Sequence, residues 1–400
     1  MNAHSQAGWI VVAAATGINL ILGFLYSWSV IKKELVSQLH WTNFEASLPF
    51  TVAAVSFAVT MVFAGRLQDA IGPRLVATVG GVLFGMGIMG CALLSSPAMI
   101  VITYGVISGA GIGLCYAAAT PPAVKWFPSA QKGLITGIVV SGVGMASVYT
   151  APLTTLLMSA FGFKQALLFI GAGALVLIVL FAQLLKNPPT APQPASPGVA
   201  AVSPGAADSA WKQTLRSRTF YQLWIMYAFA ASAGMMMISH MATIAKTQAN
   251  WDQGFYLVAL LALFNTLGRI AAGFWSDRFG YTRTMLVVFS LQAVNMVVFP
   301  LYVTPVSLAF GTALTGLSYG ALFSLFPAAT ADFYGIRYLG VNYGLVFTAW
   351  GLAGVIGPLL AGWAVDTTGS YQLSYLVCAA LLAVACGLTL ITRHPHHAVE

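Results

Sequence analysis

Residues 264 to 273, FNTLGRIAAG, carry Arg269 in the middle of an apolar stretch, with no acidic residue beside it in sequence. Arginine cannot escape such a place by losing its proton. A charge at membrane depth costs from about 2.5 kcal/mol upward, so it faces a protein interior or a water-filled cavity and serves a purpose there. The planar guanidinium fork matches one carboxylate through two parallel hydrogen bonds, whereas a phosphate usually recruits several cations. One fork therefore suggests one carboxylate, with a structural bond to a backbone carbonyl as the competing role. The expectation is a side chain reachable from water and idle until a small organic acid meets it. Asn265 lies four residues earlier on the same helical face, where it either orients Arg269 or hydrogen-bonds the ligand, or simply joins two helices.

The other chemistry-bearing residues are few. The nine acidic residues all avoid the centres of the apolar stretches. His240, in SHMATIAK, is the one histidine inside such a stretch, and an imidazole titrates near physiological pH. It is a candidate proton carrier or a satisfied structural histidine, and Asp252 and Lys246 flank the following turn as candidates to titrate with it. No HExxH motif, metal-like CxxC spacing or pair of helix-centre carboxylates occurs, so an enzyme, a cofactor and a metal site are not expected. Cys91, Cys115, Cys378 and Cys386 read as free packing thiols.

The elements that must position these residues follow from composition. Charged residues are 6% of the 400, hydrophobic ones 59%, and mean hydropathy is +0.85. That is far from the soluble average of about a quarter charged. Twelve apolar stretches are long enough to cross a bilayer as helices, near 8–30, 46–66, 75–95, 97–124, 133–160, 165–186, 219–245, 254–276, 284–303, 305–331, 339–365 and 371–392. They are too long and continuous for barrel strands. The first lacks the basic leader of a secretory signal and is expected to remain in the mature protein.

With both termini cytoplasmic, twelve of the 17 basic residues fall on inner loops and tails and four on outer loops, leaving Arg269 inside a helix. The positive-inside rule then orients the chain in the cell (cytoplasmic) membrane, and the net charge of +8 needs no nucleic-acid partner. Residues 188–208, PPTAPQPASPGVAAVSPGAAD, cannot bury enough surface to fold and read as a connector. The expected organisation is a six-helix bundle over 1–187, a Pro-rich cytoplasmic linker over 188–217 and a second six-helix bundle over 218–400.

The halves echo each other. Gly65-Arg-Leu-Gln-Asp69-Ala-Ile-Gly72-Pro-Arg74 recurs 208 residues later, with one extra residue before its final Arg, as Gly273-Phe-Trp-Ser-Asp277-Arg-Phe-Gly280-Tyr-Thr-Arg283. Gly113-Leu-Cys-Tyr116 is matched by Gly316-Leu-Ser-Tyr319, and Gly133-x3-Gly137 by Gly340-x3-Gly344. Three matches in order indicate a repeat of six-helix units.

The GxxxDxxGxR pattern resembles the loop signature of the major facilitator superfamily. The resemblance implies an all-α membrane protein of twelve transmembrane helices in two pseudo-symmetric six-helix bundles, with Asp69, Arg74, Asp277 and Arg283 forming a gate of charge contacts between helices. Loop polarity is the plainer account of those four. GFLYSWSV (23–30), NTLGRIAAGFWSDRFG (265–280), NYGLVFTAWGLAG (342–354) and DTTGSYQLSY (366–375) are similar to the oxalate/formate antiporter group and its monocarboxylate transporter relatives. In this architecture the fourth and tenth helices line a central cavity, which makes Tyr116 and Tyr319 candidate ligand contacts, with interfacial packing as their alternative. Leu25, Phe323 and Phe347 are candidates for an apolar wall, or ordinary packing residues.

Two departures from the relatives matter. The resemblance implies a helix 11 lysine in oxalate carriers that helps grip two carboxylates, and this chain has Trp350 there. It also implies an aspartate four residues before the helix 8 arginine in animal monocarboxylate carriers, and this chain has Asn265. The charge count favours a monoanion such as lactate, pyruvate, acetate or formate over a dianion. The expected function is alternating-access transport of a small monocarboxylate anion across the lipid bilayer with a proton as co-substrate. Carboxylate exchange and a transport-inactive carboxylate sensor are the alternatives.

Overall fold

The computed structural model describes residues 3–28, 30–31, 34–35, 41, 45, 48–93, 96–128, 131–188, 209–251 and 253–392. Twelve helices among them are long and apolar enough to cross a membrane. They are α1 (Gln6–Leu25), α2 (Leu48–Ile71), α3 (Pro73–Leu93), α4 (Pro97–Lys125), α5 (Lys132–Phe161), α6 (Phe163–Leu184), α7 (Arg218–Ala249), α8 (Tyr256–Phe279), α9 (Tyr281–Leu301), α10 (Pro305–Tyr334), α11 (Leu339–Val365) and α12 (Gln372–Ile391). In hydrocarbon a helix satisfies every backbone group internally, which is why these sequences take no other form. Prolines inside α4, α5, α10 and α11 are carried within continuous helices.

The helices form two bundles of six. In the first, α3 packs on α6 and α2 on α4; in the second, α8 packs on α10, α7 on α11 and α9 on α12. The bundles meet along two seams, α2 with α11 and α5 with α8. Exposed leucines, valines and phenylalanines such as Phe63, Leu180, Val306 and Leu390 cover the outer faces.

The repeated signature closes one end of both seams. Gly72 and Gly280 terminate α2 and α8 with φ of 90° and 84°, a conformation glycine adopts without strain, and the chain turns at once into α3 and α9. Gly65 lies against the Gly340 carbonyl and Gly273 against the Gly133 carbonyl, each with no room for a Cβ. One turn deeper, Gly344 meets the Met61 carbonyl and Gly137 the Arg269 carbonyl.

Residues 189–208 of the expected connector lie outside the described residues. Trp211–Arg216 is a short helix. Thr214 Oγ1 donates to Asn342 Oδ1 at 3.0 Å, and Asn342 Nδ2 to the Ser209 carbonyl at 2.9 Å. These polar contacts tie residues 209–216 to the start of α11.

Candidate functional site

Arg269 is fully buried, at 0% exposure, on the face of α8 that packs between α5 and α10. Its Nε donates to Asn265 Oδ1 at 3.2 Å, the geometry that a four-residue helical spacing gives. Asn265 thus orients the arginine. Nη1 donates to the Val140 carbonyl on α5, a group belonging to the opposite bundle. The guanidinium carbon lies 4.2 Å over the Phe323 ring, a cation–π contact in a dry setting. Nη2 has no hydrogen-bond partner among the described residues.

The expectation of an idle, water-reachable cation is therefore corrected. With the bundles closed on α8, a permanent charge is left with no water and takes the nearest carbonyl it can reach. Half of the fork is engaged and one end of it is vacant. The backbone around it is equally fixed: Ser324 Oγ donates to the Arg269 carbonyl at 2.5 Å, and Gly137 leaves space for that carbonyl to approach α5.

Aromatic rings fill the space between the bundles beside Arg269. Phe347 is their hub, 5.6 Å from Tyr116, 5.2 Å from Phe57, 6.4 Å from Phe323 and stacked on Trp350 at 5.2 Å. Tyr319 packs edge-on against Phe323, accepts from Trp350 Nε1 at 2.9 Å and donates toward Met235 Sδ at 3.5 Å. Where the resemblance implies a second cation in oxalate carriers, this chain presents an indole already bonded to a phenol.

The structure brings together Arg269, Asn265, Phe323, Phe347, Tyr116 and Tyr319. Leu25 is buried at the end of α1, whose Gly23 abuts Val143 and Ala146 on α5, about one turn beyond Val140. His240 is apart from this group: its Nε2 lies 3.3 Å from the Pro358 carbonyl and its Nδ1 3.3 Å from Tyr371 Oη. A carbonyl only accepts, so Nε2 carries the proton. Burial raises the Tyr371 phenol above its usual pKa, so it stays neutral and can donate to or accept from Nδ1. Lys246 is exposed near the end of α7, and Asp252 lies outside the described residues.

The four residues of the expected gate make contacts of another kind. Asp277 accepts from the backbone amides of Gly133 at 2.7 Å and Leu134 at 2.8 Å, and so caps the start of α5 from the other bundle. Asp69 accepts from the Val341 amide at 3.4 Å at the start of α11, with Lys125 Nζ at 4.0 Å. A helix start offers unpaired N–H groups and a favourable dipole, which is why a carboxylate chooses it. Arg74 and Arg283 are exposed, and among the described residues an ion pair joins the bundles from Lys132 to Asp332 at 3.2 Å.

Sequence reasoning missed Val140, Phe57 and Ser324. A backbone carbonyl leaves no mark in residue identity, although the Gly133-x3-Gly137 spacing marks the face of α5 that Arg269 meets.

The comparisons agree with this architecture. The family model described as Major Facilitator Superfamily matches residues 8–305 and 243–400. An oxalate:formate antiporter of Oxalobacter formigenes is 27% identical over 383 residues, covering 94% of this chain and 89% of its own. Monocarboxylate transporter 11 of Mus musculus is 29% identical, covering 94% and 85%. Among solved structures, the proton:xylose symporter XylE superposes with a TM-score of 0.76 at 14% identity over 98% of this chain and 97% of its own. The E. coli fucose:proton symporter FucP does so at 0.75 and 14% over 97% and 100%. Paired signatures, two six-helix bundles and the family match together show that this chain belongs to the Major Facilitator Superfamily and is a multi-pass membrane transporter.

Proposed function

We propose that this transporter carries small monocarboxylates of the lactate and pyruvate kind, together with a proton, by alternating access across the cell membrane with both termini cytoplasmic. One observation carries the reading: a fully buried guanidinium with one nitrogen unpartnered and another held by a carbonyl of the opposite bundle. A substrate carboxylate would take Nη2 and displace the Val140 carbonyl from Nη1, making the bidentate pair that Arg favours. That exchange removes a bond between bundles, so loading and bundle motion become linked. Arg269, Asn265, Tyr116, Tyr319, Leu25, Phe323 and Phe347 are the proposed substrate-contacting set, and Asp69, Arg74, Asp277 and Arg283 the proposed gate, the two aspartates acting through helix-start amides.

Coupling follows from the same bond. An empty carrier with a lone buried cation would reorient slowly and be forced into exchange. The Val140 carbonyl gives Arg269 a partner when no substrate is bound, which favours symport over obligate exchange. His240 is the proposed proton carrier, with Lys246 and Asp252 as further candidates. Trp350 supports a monoanion, since it brings no second charge for a dianion.

The test is uptake of radiolabelled lactate into proteoliposomes with and without an imposed pH gradient, competed by pyruvate, formate and oxalate. Gradient-driven accumulation, blocked by pyruvate and little affected by oxalate, is expected. Binding without accumulation would identify a sensor, and uptake only against a preloaded anion would identify an exchanger.

A further inference from the structure

Gln68 precedes Asp69 in α2, where the seam with α11 closes at the signature end. The residue is fully buried, at 0% exposure. Neither its amide nitrogen nor its amide oxygen has a hydrogen-bond partner among the described residues. The oxygen lies against Gly340 of α11, 2.8 Å from where a Cβ on that glycine would sit. The approach of the second bundle is thus what encloses it.

The repeat supplies a control within the same molecule. In the other signature, 208 residues later, the place of Gln68 is held by Ser276. Ser276 is also buried, but its Oγ donates to the Gly273 carbonyl of its own helix at 2.8 Å. That bond persists whether the bundles are joined or apart. A primary amide brings two donors and an acceptor, and enclosing them unpaired costs free energy that an apolar side chain of similar bulk avoids. The cost falls on the closed seam alone, because parting α2 from α11 admits water to both atoms. One turn of α2 therefore carries two opposed devices. Asp69 holds the start of α11 through the Val341 amide at 3.4 Å, and Gln68 works against that hold.

We propose that Gln68 is a release built into the α2–α11 seam, one that keeps the closed signature end from becoming too stable to open in each transport cycle. A carrier needs both of its end states within reach, and the free-energy difference between them sets how often each is visited. The α5–α8 seam has no such release, since Ser276 is satisfied within its helix and Asp277 holds two amides at 2.7 and 2.8 Å. Opening at this end therefore starts at α2 and α11. The release acts on the bundles whatever the cargo, so it stands or falls independently of the monocarboxylate reading.

The experiment uses the full-length protein in detergent without substrate, as wild type, Gln68→Met and Ser276→Ala. Methionine keeps the length and bulk of glutamine and carries no N–H. Hydrogen exchange of the amides at the start of α11, residues 339–343, reads even rare opening of the seam, and melting temperature is measured alongside. Gln68→Met is expected to slow that exchange at least about fivefold, to leave exchange within α12 unchanged, and to melt no lower than wild type. Ser276→Ala should leave exchange at the start of α11 within about twofold. Unchanged exchange at residues 339–343 in Gln68→Met would overturn the release. Faster exchange or a lower melting temperature would overturn it too, by showing that the amide holds the seam together. Slowing shared equally by α12 would do the same, by identifying a general packing effect.

Discussion

The two seams between the bundles are built on one plan and used differently. On α2 and α11, Gly65 meets Gly340, Met61 meets Gly344 and Asp69 reaches the Val341 amide; on α8 and α5, Gly273 meets Gly133, Arg269 meets Gly137 and Asp277 holds two amides. The repeat that relates Asp69 to Asp277 also relates Met61 to Arg269, 208 residues apart. The scaffold is duplicated and the charge is not. Met61 fills its place with an adaptable apolar side chain. Arg269 fills the corresponding place with a cation that needs partners, and its seam has the shorter aspartate bonds. On the proposed reading, the bond that a substrate carboxylate would break lies in the seam with the shorter aspartate bonds.

Several substitutions would break or sharpen that contrast. The largest effect is expected for Arg269→Lys, which keeps charge but loses the fork: lactate uptake should fall by about a hundredfold, as loss of one or two charge-assisted hydrogen bonds implies. Met61→Leu at the related position should leave uptake within about twofold, since the volume is conserved. Equal losses in the two variants would erase the distinction between the seams.

Next comes the gate. Asp277→Ala removes two short bonds to a helix start and should favour opening at the signature end by at least about tenfold, whereas Asp69→Ala removes longer, weaker contacts at the start of α11 and with Lys125 and should favour it by only a few-fold. Spin-label distances across each seam measure both, and a larger shift from Asp69→Ala would reverse the assignment. Asn265→Ala should raise the KM for lactate a few-fold with little change in maximal rate, because Phe323 and the Val140 carbonyl still restrain the guanidinium. His240→Ala should have the smallest effect on rate and flatten the pH dependence of uptake, and an unaltered pH profile would remove His240 as the proton carrier.

Much of this arrangement was legible in the sequence because it rests on periodicity and on residues that are rare in a membrane. Twelve apolar stretches, the paired signatures and the isolated Arg269 all declare themselves by type and spacing. Asn265 was placed beside Arg269 by helical geometry alone. What stayed hidden depends on backbone atoms of distant segments: the Val140 carbonyl that accepts from Nη1, and the amides of Gly133, Leu134 and Val341 that donate to the aspartates. Every residue carries these groups, so only packing reveals which are used. The turn of helix at Trp211–Arg216, inside the expected linker, was not legible either, since it is tied to α11 by the contact of Thr214 with Asn342.

The most direct test is saturable binding of radiolabelled lactate to the purified wild-type protein and to Arg269→Lys, with folding of each checked by thermal melting. Saturable binding by the wild type and none by an equally stable lysine variant is the predicted result. Equal affinities in the two would contradict the account, because the Val140 carbonyl would then be the guanidinium's permanent partner and the carboxylate would have to bind elsewhere.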